Sequence, residues 1–206
     1  MESILENALM DSELIRAAVL IPLVVNPCGK TSVEKVLLKT RRGEILLPKT
    51  TEVILTVRTH TVEHHKGQIS FPGGAFEPHD QNLEETALRE THEEIGLDKT
   101  KVQLVTELPE VPTMASRFRV SPFVGIIHGR PELQANPHEI GEILFVPLAH
   151  LLDPRHSHVE THERAGMRYQ IRAYQFGTHR IWGATGLILQ ILLEKFLLAH
   201  AQAGYE

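Results

Sequence analysis

Residues 71–97 read FPGGAFEPHDQNLEETALRETHEEIGL, and how this stretch folds fixes what can surround it. Leu83 to Ile95 holds neither Gly nor Pro and is rich in strong helix formers. Asp80 and Asn82 are candidate N-caps, and Gly96 stands at the C′ position where a left-handed residue ends a helix. At roughly 100° per residue, Ala87, Leu88, Thr91 and Ile95 share one arc, which predicts a core-facing side. Glu84 falls on that arc too, at the first turn. Glu90, Glu93 and Glu94 share a different arc, with Thr86 one turn earlier. Glu90 is three residues from Glu93 and four from Glu94, so these carboxylates are neighbours that repel by a few tenths of a kcal/mol per exposed pair.

Such a face is either solvated or neutralised by a cation. The Pro72-Gly73-Gly74 turn ahead of it bears on the choice. Mg²⁺ and Mn²⁺ take carboxylate and carbonyl oxygens, and a glycine-rich turn exposes backbone carbonyls. Arg89, four residues before Glu93, is placed to orient that carboxylate by a charge-assisted hydrogen bond.

These residues resemble the Nudix box, G-x5-E-x7-R-E-U-x-E-E-x-G-U with U a bulky apolar residue. The match runs through Gly74, Asp80, Arg89, Glu90, Thr91, Glu93, Glu94, Gly96 and Leu97. Asp80 replaces Glu, eight residues rather than seven separate it from Arg89, and Thr91 stands where an apolar residue is usual. The R-E-x-x-E-E-x-G-U half is intact. Upstream, Leu55-Thr56-Val57-Arg58-Thr59 and Gly67-Gln68-Ile69-Ser70-Phe71-Pro72-Gly73-Gly74 are similar to the signature of Nudix coenzyme A diphosphatases, L-L-T-x-R-[SA]-x3-R-x3-G-x3-F-P-G-G. The second Arg of that signature falls on Glu63, a reversed charge. With further matching segments from Arg16-Ala17-Ala18-Val19 to Ile181-Trp182-Gly183-Ala184, the resemblance covers about residues 16–200 and implies an α/β fold, a Nudix-type α/β/α sandwich with a central mixed sheet.

The resemblance also implies a metal-dependent diphosphatase, with Glu90, Glu93 and Glu94 holding Mg²⁺ or Mn²⁺ and the carbonyl of Gly73 or Gly74 assisting. Glu90 and Arg89 join the catalytic set. A further Glu outside the box completes such sites or acts as base; Glu139 is the first choice and Glu142 the second. Arg58 and Lys66 are candidates for holding substrate phosphates. The implied substrate is coenzyme A or its thioesters, cut to 3′,5′-ADP and (acyl-)4′-phosphopantetheine. Glu63 keeps open another nucleoside diphosphate compound, such as ADP-ribose, a dinucleotide or a nucleotide sugar. A binding module that senses a nucleotide without hydrolysing it belongs to a different class, which loss of box carboxylates would favour.

A chain of 206 residues suits a single domain with one buried core, here a Nudix domain over 1–206 with an N-terminal extension (1–15) and a C-terminal helix (184–200). The single cysteine, Cys28, excludes an internal disulfide and suits a reducing compartment. The acidic start lacks the basic region of a secretory signal, and neither apolar run, Ala17 to Val25 or Ala184 to Leu193, is long enough to span a bilayer. A cytoplasmic protein without membrane contact is expected. The net charge of −5 argues against non-specific nucleic-acid binding but not against a phosphate ester, because bound metal supplies positive field locally. Thirteen histidines are scattered; His158 and His162 have H-x3-H spacing, without the cysteine pair or helix of a zinc site. A monomer or a homodimer is open.

Strands are expected at Ala17 to Val25, Val33 to Leu38, Glu52 to Val57, Val102 to Leu108, Arg119 to Ile127, Glu142 to Pro147 and Met167 to Phe176. Lys39 to Thr51 reads as a loop or hairpin arm, His60 to Gly67 as a loop over the site, and residues 155–166 as a mobile loop. Short helices are expected at 3–14 and 148–152. Ala184 to Ala199 reads as the last helix, with Leu187, Ile188, Ile191, Leu192 and Leu198 inward, and Trp182 either anchors it in the core, the preferred reading, or lines a pocket.

Overall fold

The apolar run Ile15–Val25 forms β1. Its residues alternate between two buried faces, Ala18, Leu20 and Val24 on one side and Ala17, Ile21 and Leu23 on the other, which is why the strand reads as continuously hydrophobic. These statements come from a computed structural model that describes residues 14–26, 35–59, 67–113, 117–164 and 167–203. The expected helix at 3–14, except its last residue, lies outside that set. So do most of the turn at 26–30 with Cys28, and the loop residues 60–66 with Glu63 and Lys66.

Along its whole length β1 pairs in parallel with β9 (Phe118–His128). β7 (Gln103–Glu107) and β8 (Val111–Pro112) add antiparallel to β9. On the other side β4 (Glu52–Arg58) pairs antiparallel with β1 only at Leu23↔Val53 and Val24↔Glu52, and β10 (Ile140–Pro147) continues beyond β4. The order is β10-β4-β1-β9-β7, a mixed sheet.

Past that short contact β1 and β4 part, and the chain between them fills the fork. β5 (Ile69–Ser70) stays with β4 through Val57↔Ile69. β6 (Gly73–Ala75) pairs with β1 through Val19↔Gly73, Ala18↔Gly74 and Ala17↔Ala75. The segment expected as a Pro-Gly-Gly turn is therefore strand. Glycine is needed because Gly73 has φ 152° and a Cβ there would stand 2.3 Å from the Ala18 carbonyl oxygen.

The helix α1 (Leu83–Ile95) has the predicted bounds. Asn82 caps it, its Oδ1 accepting from Glu85 N at 2.9 Å, and Gly96 ends it at φ 68°. Ala87, Thr91 and Ile95 are buried against the Ala18–Leu20–Val24 face; a fully buried Ile contributes about 2–3 kcal/mol. Thr91 is tolerated there because its hydroxyl donates to the Ala87 carbonyl at 2.6 Å.

The opposite face of the sheet is covered by α2 (Leu148–Leu152), α3 (Gly183–Ala203) and the hairpin β2 (Lys35–Thr40)–β3 (Gly43–Pro48), the arm expected within 39–51. Leu187, Ile188 and Leu192 are buried as expected, and so are Leu189 and Leu193. The layers form an α/β/α sandwich with a mixed central sheet.

Two expectations fail. Residues 157–164 are not a loop but β11 (Ser157–Arg164), paired with β12 (Met167–Phe176), which pairs in turn with β13 (His179–Ile181). β11 is an edge strand whose apolar residue, Val159, is exposed, so no hydrophobic alternation announced it. Trp182 is not a core anchor. It is 39% exposed, with the Arg180 guanidinium 4.9 Å from its ring and His162 stacked beside it. No helix among the described residues is long and apolar enough to cross a membrane.

Candidate active site

The fork between β1 and β4 brings a glycine strand beneath the acidic side of α1. Gly73 N donates to Glu94 Oε2 at 3.2 Å, and Arg58 NH1 at the end of β4 donates to Glu94 Oε1 at 3.4 Å. Glu94 is only 2% exposed. Burial pushes its carboxyl up to about 8, against the pull of Gly73 N–H and Arg58, with the charges of Glu139 and Glu90 adding to the rise. The acidic arc read as one face is thus divided: Glu94 is buried, Glu90 is half-buried and Glu93 is exposed.

Glu90 lies directly over Gly74. A Cβ on Gly74 would stand 2.5 Å from the Glu90 carboxyl carbon, so the glycine makes room for the carboxylate. Burial raises the Glu90 carboxyl above its ordinary value, Arg89 opposes that, and Glu93 and Glu139 add to it. The bonds Leu20 N to Pro72 O and Phe76 N to Arg16 O, both 2.9 Å, bracket Ala18↔Gly74. Ladder alternation makes that a hydrogen-bonded pair and directs the Gly74 carbonyl to β1. Of the two glycine carbonyls expected to assist a metal, that of Gly74 is thus directed to β1, and Gly73, whose N–H reaches Glu94, is the glycine whose backbone turns away from β1.

Arg89 does more than orient Glu93. Its Nε and NH2 donate to Asp80 Oδ1 and Oδ2 at 2.8 and 3.0 Å, its NH1 to Glu90 Oε1 at 2.8 Å and Glu93 Oε2 at 3.3 Å, and its NH2 to the Ala75 carbonyl at 3.3 Å. Asp80, one of the two N-cap candidates, is instead this clamp. Its side chain is fully buried and also accepts from Thr86 Oγ1 and Glu77 N, each at 2.9 Å. The Arg89 hydrogen bonds hold its carboxyl well below the usual carboxylate range.

Glu139 arrives from the segment before β10. Gln134 N and Asn136 N donate to the Ile95 and Glu94 carbonyls at 2.9 and 2.8 Å, so this segment satisfies the open end of α1. Thr59 N then donates to the Glu139 carbonyl at 2.9 Å, and Glu139 lies near enough to Glu90 and Glu94 to raise both. Glu142 lies elsewhere. A bulge between Ile140 and Glu142 adds one residue opposite β4, which turns Ile140 to the α1 face and Glu142 to the other. There Glu142 meets His179 at 3.3 Å.

The oxygen-only donor set of Glu90, Glu93, Glu94 and the Gly73 carbonyl fits a hard divalent cation, and the mutual repulsion felt by Glu90 and Glu94 is what such a cation relieves. As they stand, Glu90 and Glu93 turn to Arg89 and Glu94 to Gly73 and Arg58. Among the described residues no three acidic, His or Cys side chains converge in a geometry that encloses a metal ion. His158 and His162 lie 2.8 and 3.3 Å from Glu160, which Arg180 also holds. The clamp of Asp80 and the space over Gly74 went unread from the residues alone; the box register, which aligns both positions, was the available signal.

The family model described as the NUDIX domain matches residues 37–167. A Photorhabdus laumondii protein described as the uncharacterized Nudix hydrolase NudL is 34% identical over 151 residues, 73% of this chain and 80% of that protein. A Yersinia pestis protein of the same description is 30% identical over 180 residues, 87% of this chain and 79% of that one. The solved structure of a MutT/nudix family protein from Enterococcus faecalis superposes with a TM-score of 0.53 at 15% identity, covering 90% of this chain and 63% of that chain, a likeness of fold.

Proposed function

This chain belongs to the Nudix family and is a Nudix hydrolase, and we propose that its substrate is coenzyme A or one of its thioesters, cut at the diphosphate to 3′,5′-ADP and (acyl-)4′-phosphopantetheine. The observation that carries this reading is the 3.4 Å contact of Arg58 with Glu94. Arg58 belongs to the segment similar to the coenzyme A signature and Glu94 to the box, so both motifs serve one site.

Nudix hydrolases generally use divalent metal ions. In this reading Glu90, Glu93, Glu94 and the Gly73 carbonyl would hold Mg²⁺ or Mn²⁺, which when bound screens the diphosphate oxygens and acidifies water. Glu139 takes the proton of the attacking water as general base. Arg89 fixes Glu90, and with it the spacing of the carboxylates. Arg58, whose side chain is partly exposed, and Lys66 bind phosphate oxygens. Glu94 would have to be ionised to hold the cation, since a ligating carboxylate carries no proton.

The test is incubation with Mg²⁺ or Mn²⁺ and coenzyme A, ADP-ribose, NADH, diadenosine polyphosphates and UDP-sugars, with products separated by chromatography. Release of 3′,5′-ADP well above the other rates is expected. Faster cleavage of another compound moves the substrate and makes Glu63 the discriminating departure. Metal-dependent cleavage of none would favour a nucleotide-binding module, against which the three box carboxylates stand.

A further inference from the structure

The turn that carries Glu139 is tied at both ends. At one end Asn136 N donates to the Glu94 carbonyl at 2.8 Å, so the turn hangs from the last residues of α1. At the other, Thr59 N donates to the Glu139 carbonyl at 2.9 Å and Thr59 Oγ1 to the His138 carbonyl at 3.2 Å. Thr59 follows Arg58, whose guanidinium meets Glu94. The turn therefore bridges the two elements whose side chains meet in the site. Within it, the Asn136 carbonyl accepts from Glu139 N at 3.0 Å and from Ile140 N at 2.8 Å. Asparagine at the first position and Pro137 at the second are residues that such a turn favours.

The Asn136 side chain makes two bonds of different kinds. Its Oδ1 accepts from His138 N at 3.1 Å, which closes the turn locally. That bond fixes which end of the amide is oxygen and leaves Nδ2 as the donor, 3.5 Å from Glu139 Oε1. The distance is at the long limit of a hydrogen bond, as catalytic contacts often are before substrate binds. The turn alone does not call for an amide. Aspartate accepts from the backbone in the same way, but once ionised it has no donor to offer. Asparagine supplies the acceptor for the turn and a donor for the carboxylate together. Glu139 is half-buried and its side chain is long and flexible, so a donor beside it narrows the positions its carboxylate takes.

We propose that Asn136 is a positioning residue for hydrolysis: its amide fixes the Glu139 carboxylate while its backbone holds the turn on α1. The proposal rests on the reading of Glu139 as general base. Asn136 touches neither substrate nor water in this role and acts through Glu139. With Oε1 engaged by the amide, Oε2 is the oxygen presented to the attacking water; the water O–H breaks, an Oε2–H forms, and the oxygen goes to phosphorus. The same residue joins the base to the helix of the box carboxylates, so the distance between Glu139 and Glu94 is set by one short run of backbone.

The experiment measures kcat, KM and the thermal midpoint of the full chain for Asn136→Asp, Glu139→Gln and the double variant, with Mg²⁺ and coenzyme A, or whichever compound of the series above is cleaved fastest. Asn136→Asp keeps the acceptor for His138 N and replaces the donor with an oxygen that repels Glu139. It should lower kcat about tenfold or more, the scale of a misplaced catalytic group, yet by less than Glu139→Gln. KM should stay within about twofold and the midpoint within about 2 °C of wild type. Beside Glu139→Gln the same change should cost less than about twofold in kcat, because no base is left to position. Asn136→Ala gives up the turn bond as well and should lower the midpoint, but its kcat loss should shrink in the same way beside Glu139→Gln. A kcat loss that persists in both double variants marks a structural role and overturns the proposal. So does wild-type kcat in Asn136→Asp while Glu139→Gln is slow. Wild-type kcat in Glu139→Gln removes the base reading, and the proposal with it.

Discussion

Asp80 and Arg89 are joined by two parallel hydrogen bonds, Nε to Oδ1 at 2.8 Å and NH2 to Oδ2 at 3.0 Å, with the Asp80 side chain fully buried. The pair locks the approach to α1 onto the helix, and the same guanidinium reaches Glu90 and Glu93. The clamp is therefore both a fold contact and the frame of the carboxylates.

Asp80→Asn should destabilise the protein by roughly 3 kcal/mol, because Arg89 loses a charged partner while remaining mostly buried. The Asp80 carboxyl is depressed below its ordinary value of 3.8, so its contribution is complete above that value and is lost as pH falls through the lower folded value. Urea unfolding should show wild-type stability declining below about pH 4 and a shallower decline in Asp80→Asn. Parallel acid profiles would mean that another carboxylate carries the dependence.

The two glycines should separate fold from site. At Gly73 a Cβ would meet backbone, 2.3 Å from Ala18 O, at φ 152°, so Gly73→Ala should cost about 2 kcal/mol or more in thermal or urea unfolding. At Gly74 it would meet the mobile end of Glu90, 2.5 Å away. Gly74→Ala should stay within about 1 kcal/mol of wild type yet lose on the order of 100-fold in turnover, because a misplaced catalytic group costs that much. Equal stability loss in both variants would contradict the division.

Glu94 runs the other way in pH. Its folded value, about 8, stands above its ordinary 4.5, so its contribution to stability is complete below about 4.5 and is lost as pH rises through about 8. The thermal midpoint of chelator-treated protein should fall across that window. Glu94→Gln should flatten the fall and remove most turnover, and saturating Mg²⁺ should raise the wild-type midpoint most at the alkaline end. A pH-independent Mg²⁺ effect would sink the assignment of Glu94 as a ligand.

Glu139→Gln should lower kcat by about 100-fold or more, the usual scale for a general base. Glu142→Gln should leave it near wild type, since that side chain meets His179 on the far face. Steady-state kinetics of the two variants decide the matter, and a larger loss at Glu142 would reverse the assignment.

The helix was legible in the residues: its bounds, the Asn82 and Gly96 ends, the inward Ala87–Thr91–Ile95 arc and the neighbouring carboxylates all follow from local propensity and period, which act over a few residues. β1, β4, β9 and β10 were legible for a similar reason, as apolar or β-branched runs. The division of the acidic arc was not, because burial of Glu94 depends on Gly73 and Arg58 coming to it from another part of the chain. β11 escaped because an edge strand with polar residues on both faces has no pattern of its own; its partner makes it a strand.

What the sequence by itself determined was the chemistry on offer, three carboxylates at fixed helical spacing behind two glycines, since spacing on a helix is set by the backbone. Tertiary structure decided where that chemistry is aimed. The parting of β1 from β4 seats Gly74 under Glu90, and the added residue in β10 turns Ile140 and Glu142 to opposite faces. Each is a long-range pairing, fixed by which strands share hydrogen bonds and which faces bury apolar surface, and no local window of residues contains that information.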